Sequence, residues 1–289
     1  MSWRRPTTMF GLLLRVLSLR RQIASWLLAL FCFVIFQLVK CTCAPDKARF
    51  ATFNIENYPK SDRQEEAALD LISSMDVGAV ALQEITDPDR LRAAAKDRLG
   101  ESWDVIATDR PKQKIALLVD RSAWTIHAAK TLPHTEVYAG AKPTLEVEME
   151  SALGTVHLFV VHLKAGGDGA STRAAQLRAL APYVARAARV ESIVVAGDFN
   201  ATGPSDLEAI GAFARETGLF HTSKDVPCTS YWSRRDGCVG VALDHVLSSR
   251  PEAGAEALGP CRDEGCDHRS SCPVYREEVS DHCPVAFDI

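Results

Sequence analysis

The chain has 289 residues, of which 47% are hydrophobic and 24% are charged, and these fractions exclude a disordered, collagen-like or coiled-coil protein. After residue 43 the chain carries 27 basic and 37 acidic residues. This balance argues against a broad basic surface that grips nucleic acid through many phosphates, but it allows a site where a divalent cation neutralises carboxylates and a phosphate together.

The amino-terminal segment is basic and then apolar. Residues 23–39 contain only two polar side chains, Ser25 and Gln37, and they follow five arginines and precede Lys40. This pattern is typical of an export signal or a short membrane anchor, and the arginines are expected to stay in the cytoplasm. We therefore predict that residues 1–43 are an export signal or anchor. Residues 44–289 are then secreted, periplasmic or held outside the cytoplasm at the membrane.

The rest of the chain alternates strand-like and helical runs, and several of the strand-like runs are apolar throughout, which indicates burial on both faces. The predicted strands are residues 50–55, 77–82, 105–108, 115–119, 145–149, 156–163 and 193–196. The predicted helices are residues 62–75, 88–99, 171–189 and 205–217, with Asp62, Ser171 and Ser205 near their N-caps. The alternation predicts one α/β domain in which helices cover sheets.

Six cysteines lie in the last 62 residues: Cys228, Cys238, Cys261, Cys266, Cys272 and Cys283. An even number of cysteines in one region of an exported chain predicts disulfides, with 15 possible connectivities. A zinc site formed by Cys261, Cys266, His268 and Cys272 is an alternative. A free thiol at Cys283 is another.

Polar side chains interrupt or end apolar runs at six separate places. These are the segments Phe53-Asn54-Ile55-Glu56-Asn57, Ala81-Leu82-Gln83-Glu84, Val161-His162-Leu163-Lys164, Gly197-Asp198-Phe199-Asn200, Leu243-Asp244-His245 and Ser280-Asp281-His282-Cys283-Pro284. Strands of one sheet bring their ends to a common edge, so these segments are expected to converge. Carboxylates and amides provide the oxygen ligands that Mg²⁺, Mn²⁺ or Ca²⁺ prefer, and histidines provide proton transfer or phosphate contact.

In this order, the six segments resemble the endonuclease/exonuclease/phosphatase superfamily. Its members include pancreatic-type deoxyribonuclease, the abasic-site exonucleases, bacterial sphingomyelinases and inositol polyphosphate phosphatases. The resemblance covers about residues 49–289, and its most specific parts are residues 197–200 and 280–282. It implies a four-layer α/β sandwich, in which two mixed β-sheets lie face to face between outer helices.

The resemblance also implies a metal site. Glu84 matches the principal metal-binding glutamate, Asn54 the asparagine that supports the metal or a phosphate oxygen, and Asp281 an aspartate that flanks the metal. The expected cofactor is Mg²⁺, with Mn²⁺ or Ca²⁺ as alternatives.

Five further positions match catalytic residues of the family. Asp198 matches the aspartate that orients the attacking water, and Asn200 an asparagine that holds water or phosphate. His282 matches the histidine beside the scissile phosphate, with Asp244 as its orienting carboxylate. His162 matches the second histidine of the deoxyribonuclease and sphingomyelinase branches, where abasic-site enzymes have tyrosine, so it argues against abasic-site repair.

The resemblance implies a divalent-metal-dependent phosphodiester hydrolase, and the amino-terminal segment implies that it is exported. A nuclease acting on nucleic acid comes first, and a sphingomyelinase-like or inositol-phosphate phosphoesterase is the alternative. An inactive binding module on the same fold is an alternative of another class. The membrane is expected as a partner only through an uncleaved amino-terminal segment, and no protein partner is implied.

Some residues near the motifs have a simpler interpretation. We interpret Glu56 as a solvated strand-end residue and Arg173 as part of a salt bridge on a helix surface. His245 is expected to be structural, because strand alternation sends it to the face opposite Asp244. Tyr231-Trp232 could contact lipid or nucleic acid, and the neighbouring Arg234-Arg235 favours nucleic acid slightly.

Overall fold

A computed structural model describes residues 49–187 and 192–289, together with Trp26 and Phe31. The predicted export segment, residues 1–43, therefore lies outside the described residues except at those two positions. Among the residues that are described, no helix has the length and hydropathy needed to cross a bilayer.

The described residues form strands and helices that follow the predicted alternation. The strands are β1 (Arg49–Tyr58), β2 (Ala79–Ile85), β3 (Trp103–Ala107), β4 (Lys114–Asp120), β5 (Thr125–Leu132), β6 (Thr144–Ser151), β7 (Gly154–His162), β8 (Ser192–Asp198), β9 (Phe220–His221), β10 (Ser230–Arg234), β11 (Gly237–Val241), β12 (Asp244–Ser248), β13 (Ala255–Ala257) and β14 (Val285–Asp288). The helices are α1 (Asp62–Ser74), α2 (Pro88–Leu99), α3 (Ala170–Ala187), α4 (Pro204–Thr217), α5 (Pro260–Asp263) and α6 (Tyr275–Glu278).

The long strands form two mixed sheets of six strands each. The first sheet has the order β13-β14-β1-β2-β4-β3, and the second has the order β5-β6-β7-β8-β12-β9. In the first sheet β1 and β2 are parallel, and in the second sheet β7 and β8 are parallel. The other pairs are antiparallel. Each sheet thus contains one parallel pair whose two strands end at the same edge.

The two sheets pack face to face, and helices cover their outer faces. Phe50 and Leu117 of the first sheet share a buried cluster with Val147 and Val194 of the second, and Trp124 packs edge-on against Phe50. Helices α1 and α2 form a second cluster with the first sheet, and α3 and α4 form a third with the second sheet. This is the predicted four-layer α/β sandwich.

Helix ends account for small differences from the predicted boundaries. The side chain of Ser61, not Asp62, caps α1 by accepting from the Gln64 backbone N–H at 3.1 Å. Helix α3 follows a 3-10 turn, and α4 begins after Gly203, which provides no side-chain cap. Ser171 and Ser205 thus lie near the helix starts, as expected, but each is the second residue of its helix.

The last third of the chain adds a two-stranded hairpin, β10–β11, and three disulfides. The bonds join Cys228 to Cys266, Cys238 to Cys272 and Cys261 to Cys283. The zinc site and the free Cys283 thiol are therefore wrong, since every cysteine in those alternatives is in a disulfide. Cys228, Cys238 and Cys283 are fully buried in a small cluster of their own.

Candidate active site

The sheet register brings the polar segments together. Within the second sheet Asp198 lies opposite both His162 of β7 and Asp244 of β12. Between the two sheets, the Asn54 amide Nδ2 donates to Asp198 Oδ2 at 3.0 Å, although the two residues are 144 positions apart. At the edge where the parallel pairs end, a side chain of one sheet is therefore hydrogen-bonded to a side chain of the other.

An open cleft of about 370 Å³ lies at this edge. Its lining residues are Glu56, Asn57, Glu84, Gln113, His162, Ala165, Gly166, Asp198, Asn200, Thr202, Trp232, Leu243, Asp281 and His282. Six of the eight predicted site residues are in this set. The other two, Asn54 and Asp244, lie directly behind it and bond to lining residues.

His282 and Asp244 form a buried pair. His282 Nδ1 lies 2.7 Å from Asp244 Oδ2, which also accepts from Thr229 Oγ1 at 2.7 Å. Burial lowers the pKa of a histidine, but the carboxylates of Asp244 and Asp198 outweigh it and hold the pKa of His282 well above its usual value. The other ring nitrogen of His282, Nε2, faces Asp198 and lies 3.9 Å from Asp198 Oδ2.

Asp198 is held by amide groups from two directions. Its Oδ1 accepts from the Asn200 backbone N–H at 2.8 Å, and its Oδ2 accepts from Asn54. Burial, helped by the nearby Asp244, raises the pKa of Asp198 to about 7. A carboxyl group with this pKa exchanges protons near neutral pH, which is the range a water-activating group requires.

Glu84 follows an irregularity in the pairing of β2 and has a left-handed backbone, with φ of 64°. Its Oε2 accepts from the Asn57 backbone N–H at 3.1 Å and from Gln113 Nε2 at 2.7 Å. Burial raises the pKa of Glu84, and the carboxylate of Asp281 adds to the increase. A cation bound beside Glu84 would offset this repulsion.

The donor set fits a divalent cation beside Glu84 and Asp281. Asp281 Oδ1 is buried and has no hydrogen-bond partner among the described residues, which leaves one hard oxygen free to act as a ligand. Both polar atoms of the Asn54 amide already form hydrogen bonds: Nδ2 donates to Asp198, and Oδ1 accepts from the Glu56 backbone N–H at 3.0 Å. We therefore place Asn54 behind the metal position rather than in direct contact with it.

Asp198, Asp244 and His282 also lie close enough together to hold a metal. However, the facing atoms of His282 and Asp244 already share a 2.7 Å hydrogen bond, so a cation between them would have to displace a proton that the pair holds strongly. Glu84 and Asp281, which also line the cleft, could hold a cation without displacing that proton.

His162 is buried and faces two acids and one base. Its Nε2 lies 3.3 Å from Asp198 Oδ2, 3.8 Å from Glu84 Oε1 and 3.4 Å from Lys142 Nζ. Burial, and then the charge of Lys142, lowers the pKa of His162 well below its usual value. The two histidines thus differ: His282 is charged near pH 7, whereas His162 is neutral.

A match to the family model described as Endonuclease/Exonuclease/phosphatase family extends over residues 51–282. The chain belongs to this family. Among solved structures, D. rerio TDP2 complexed with single strand DNA product has a TM-score of 0.67 at 12% identity and covers 83% of this chain and 98% of its own. A family member from Bacteroides vulgatus has a TM-score of 0.62 at 16% identity, covering 83% and 97%. These identities show the fold alone, and no curated protein matches significantly.

Two further residues beside the cleft, Lys142 and Gln113, belong to none of the six motifs. Lys142 lies in an irregular segment before β6, and Gln113 lies in the loop between β3 and β4. Neither follows a strand end or belongs to a motif, so only the three-dimensional structure places them beside Glu84 and His162.

Three interpretations of neighbouring residues can now be compared with the structure. The surface salt bridge expected for Arg173 is wrong: the side chain is buried and donates to Asp206 at 2.7 and 2.8 Å. Glu56 lines the cleft and pairs with Lys60, so it is more than a solvated strand end. His245 faces away from the cleft, as expected, and lies 3.0 Å from His221.

Proposed function

We propose that this protein is an exported, divalent-metal-dependent phosphodiester hydrolase that acts as a nuclease. The observation that carries the proposal is the hydrogen-bonded chain from Asn54 through Asp198, with His282 and Asp244 beside it. These hydrogen bonds join the two sheets at one cleft. In this proposal the Asp198 carboxylate orients the attacking water, and the His282 imidazole, 3.9 Å from it, faces the same cleft, where a phosphate would lie.

Each of the proposed catalytic residues has a separate role. Asp198 orients the attacking water, and Asn200 holds water or a phosphate oxygen. Asp244 accepts from His282 Nδ1 and so directs Nε2 toward the phosphate, where the imidazolium stabilises the charge that develops in the transition state. Neutral His162 donates a hydrogen bond to a phosphate oxygen.

The metal belongs beside Glu84 and Asp281, with Asn54 behind it. Mg²⁺, or Mn²⁺ or Ca²⁺, bound there supplies neutralisation of the phosphate and of the leaving oxygen. Lys142 adds a positive charge beside these acids, since its Nζ lies 3.4 Å from the same His162 Nε2 that faces Asp198 and Glu84. Its pKa is lowered by burial, while Glu84 and Asp198 oppose that change and favour its charged form.

Two observations support the substrate and the compartment. A structural neighbour, D. rerio TDP2, is complexed with a single-strand DNA product, which favours nucleic acid over a lipid headgroup. Three disulfides within 62 residues are typical of proteins that work in an oxidising compartment, and the basic and apolar amino-terminal segment agrees with export.

Lipid hydrolysis is the second candidate. Val137 and Tyr138 are exposed apolar side chains, each 38% accessible, on the segment that leads to Lys142. Apolar side chains near a cleft can enter a membrane surface.

A substrate panel tests the proposal. The full chain is assayed on DNA, RNA, sphingomyelin vesicles and inositol phosphates, with Mg²⁺ and with a chelator. We expect Mg²⁺-dependent cleavage of nucleic acid. Cleavage of sphingomyelin or an inositol phosphate alone would support the alternative hydrolase. No turnover on any substrate, with metal binding retained, would support an inactive binding module.

A further inference from the structure

Strand alternation on the β10–β11 hairpin points two adjacent aromatic residues in different directions. Tyr231 is fully buried, and its hydroxyl donates to the carbonyls of Pro260 and Gly265 at 3.0 and 2.7 Å. Trp232, the next residue, is only partly buried and lines the cleft with His282. Tyr231 therefore anchors the hairpin, and Trp232 presents an indole to whatever occupies the cleft.

The hairpin holds Trp232 at a fixed place relative to the reaction centre. The Tyr231 backbone N–H donates to the carbonyl of Asp281 at 2.8 Å. Trp232 therefore directly follows a residue that is bonded to the segment containing Asp281 and His282. On the facing strand, Cys238 is tied to Cys272 by a disulfide. A side chain held in this way loses little conformational entropy when it stacks against a ligand.

The tip of the hairpin carries two exposed arginines and one exposed acid, Asp236, whose carboxylate lies 3.8 Å from His268 Nε2. Arg234 and Arg235 are exposed, and neither forms an ion pair with another residue in the described ranges 49–187 and 192–289. A strand rises about 3.3 Å per residue, so Arg234 lies about 7 Å along the strand from Trp232. These charges attract a second phosphate and repel a quaternary ammonium group, which is the ligand that an exposed indole would otherwise bind in a lipid headgroup.

We infer that Trp232 and the Arg234-Arg235 pair form a nucleotide subsite beside the reacting phosphate. One base stacks on Trp232, and the next phosphate along the strand contacts the arginines. Because a base must be unpaired to stack on a side chain, the substrate class is single-stranded polynucleotide. This inference rests on the proposed nuclease function and extends it to the choice of substrate.

The test compares two oligomers of equal length, oligodeoxythymidine and an abasic tetrahydrofuran oligomer that has the phosphates without the bases. The wild-type enzyme should have a kcat/KM about ten- to a hundredfold higher for oligodeoxythymidine, mainly through KM. W232A should remove this preference, and W232F should retain most of it. A W232A enzyme that keeps the wild-type preference would overturn the stacking role.

The arginines are tested by salt dependence. R234Q/R235Q should weaken binding of both oligomers and reduce the slope of log K against log salt by about 0.7, the contribution of one neutralised phosphate on a single strand. The matched control is R178Q/R215Q, which removes two exposed arginines from α3 and α4 and should leave both slopes and rates unchanged. An unchanged slope in R234Q/R235Q would overturn the phosphate contact.

Binding in the presence of chelator separates this inference from the proposed function. Oligodeoxythymidine should quench the tryptophan fluorescence of the wild type more than that of W232F. Quenching without cleavage in any divalent cation would support the subsite and contradict the nuclease. Hydrolysis of sphingomyelin vesicles, with neither quenching nor cleavage of the oligomer, would overturn the subsite and leave phosphodiester hydrolysis in place.

Discussion

Thr229 connects the folded core to the catalytic pair, and removing its hydroxyl is an informative perturbation. The residue is fully buried. Its Oγ1 donates to Asp244 Oδ2 at 2.7 Å and accepts from the backbone N–H groups of Leu243 and Asp244 at 3.0 and 2.9 Å. Thr229→Val keeps the shape of the side chain and removes all three hydrogen bonds.

The expected cost can be estimated from these bonds. Asp244 Oδ2 keeps its bond to His282, but the backbone N–H groups of Leu243 and Asp244 lose the Thr229 hydroxyl as an acceptor. At about 1–3 kcal/mol for each buried group, the substitution should lower the free energy of unfolding by about 2–6 kcal/mol. Asp244 also loses one of the two groups that orient it. Losing such a supporting contact typically reduces activity by about 10- to 100-fold, and we expect the loss in kcat because His282 acts on the transition state.

Urea denaturation and steady-state kinetics on the preferred substrate measure the two effects. Thr229→Ser is the control, because it keeps the hydroxyl and loses a methyl group worth about 1 kcal/mol. It should recover most of the kcat that Thr229→Val loses. A folded Thr229→Val enzyme with wild-type kcat would refute the orienting role, and equal losses in both variants would indicate a packing effect.

Three other substitutions test separate parts of the structure. Glu84→Gln should lower activity by several orders of magnitude and weaken Mn²⁺ binding measured by calorimetry, while the melting temperature stays near that of the wild type; unchanged turnover in Mg²⁺ would contradict the metal position. Burial lowers the pKa of His245 to about 3. Between about pH 6.5 and pH 3 this histidine is therefore protonated in the unfolded chain but neutral in the folded chain. Stability should therefore fall as the pH drops below about 6.5, by about 3 kcal/mol at pH 4.5. In His245→Asn the difference in unfolding free energy between pH 7 and pH 4.5 should shrink by that amount, and an unchanged difference would show that other groups control acid sensitivity. Replacing Cys238 and Cys272 by serine opens a loop with a sequence separation of 34 and should cost about 4 kcal/mol in urea titrations, whereas a loss below 1 kcal/mol would argue that the loop is ordered without the bond.

Local patterns predicted the central strands and the main helices closely. Residues 88–99 were predicted as a helix and α2 has the same bounds, and residues 50–55 lie inside β1. The missed elements are β5, which is largely exposed, and β9–β14, all of which have five residues or fewer. A pattern of apolar residues reports burial, so it cannot detect strands that are exposed or too short to show a period.

The site residues likewise fall into those that the sequence indicated and those that it did not. The roles proposed for Glu84, Asp198 and His282 came from a resemblance carried by short motifs. Nothing local indicated Lys142, because its position depends on how an irregular segment folds back onto β7. Arg173 was misjudged because the helix pattern does not show that Asp206 of α4 lies against it.

By itself, the sequence determined the α/β alternation and the set of polar segments, because hydrophobic periodicity and short motifs are local properties. The resemblance of those motifs to a known family then implied the four-layer sandwich. Only the tertiary structure decided which polar atoms meet. The contact between Asn54 and Asp198 crosses two sheets, the three disulfides select one connectivity among 15, and the turn of Trp232 into the cleft follows from the anchoring of Tyr231. Such contacts depend on strand register and on the packing of one layer against another, which residues close together in the chain do not encode.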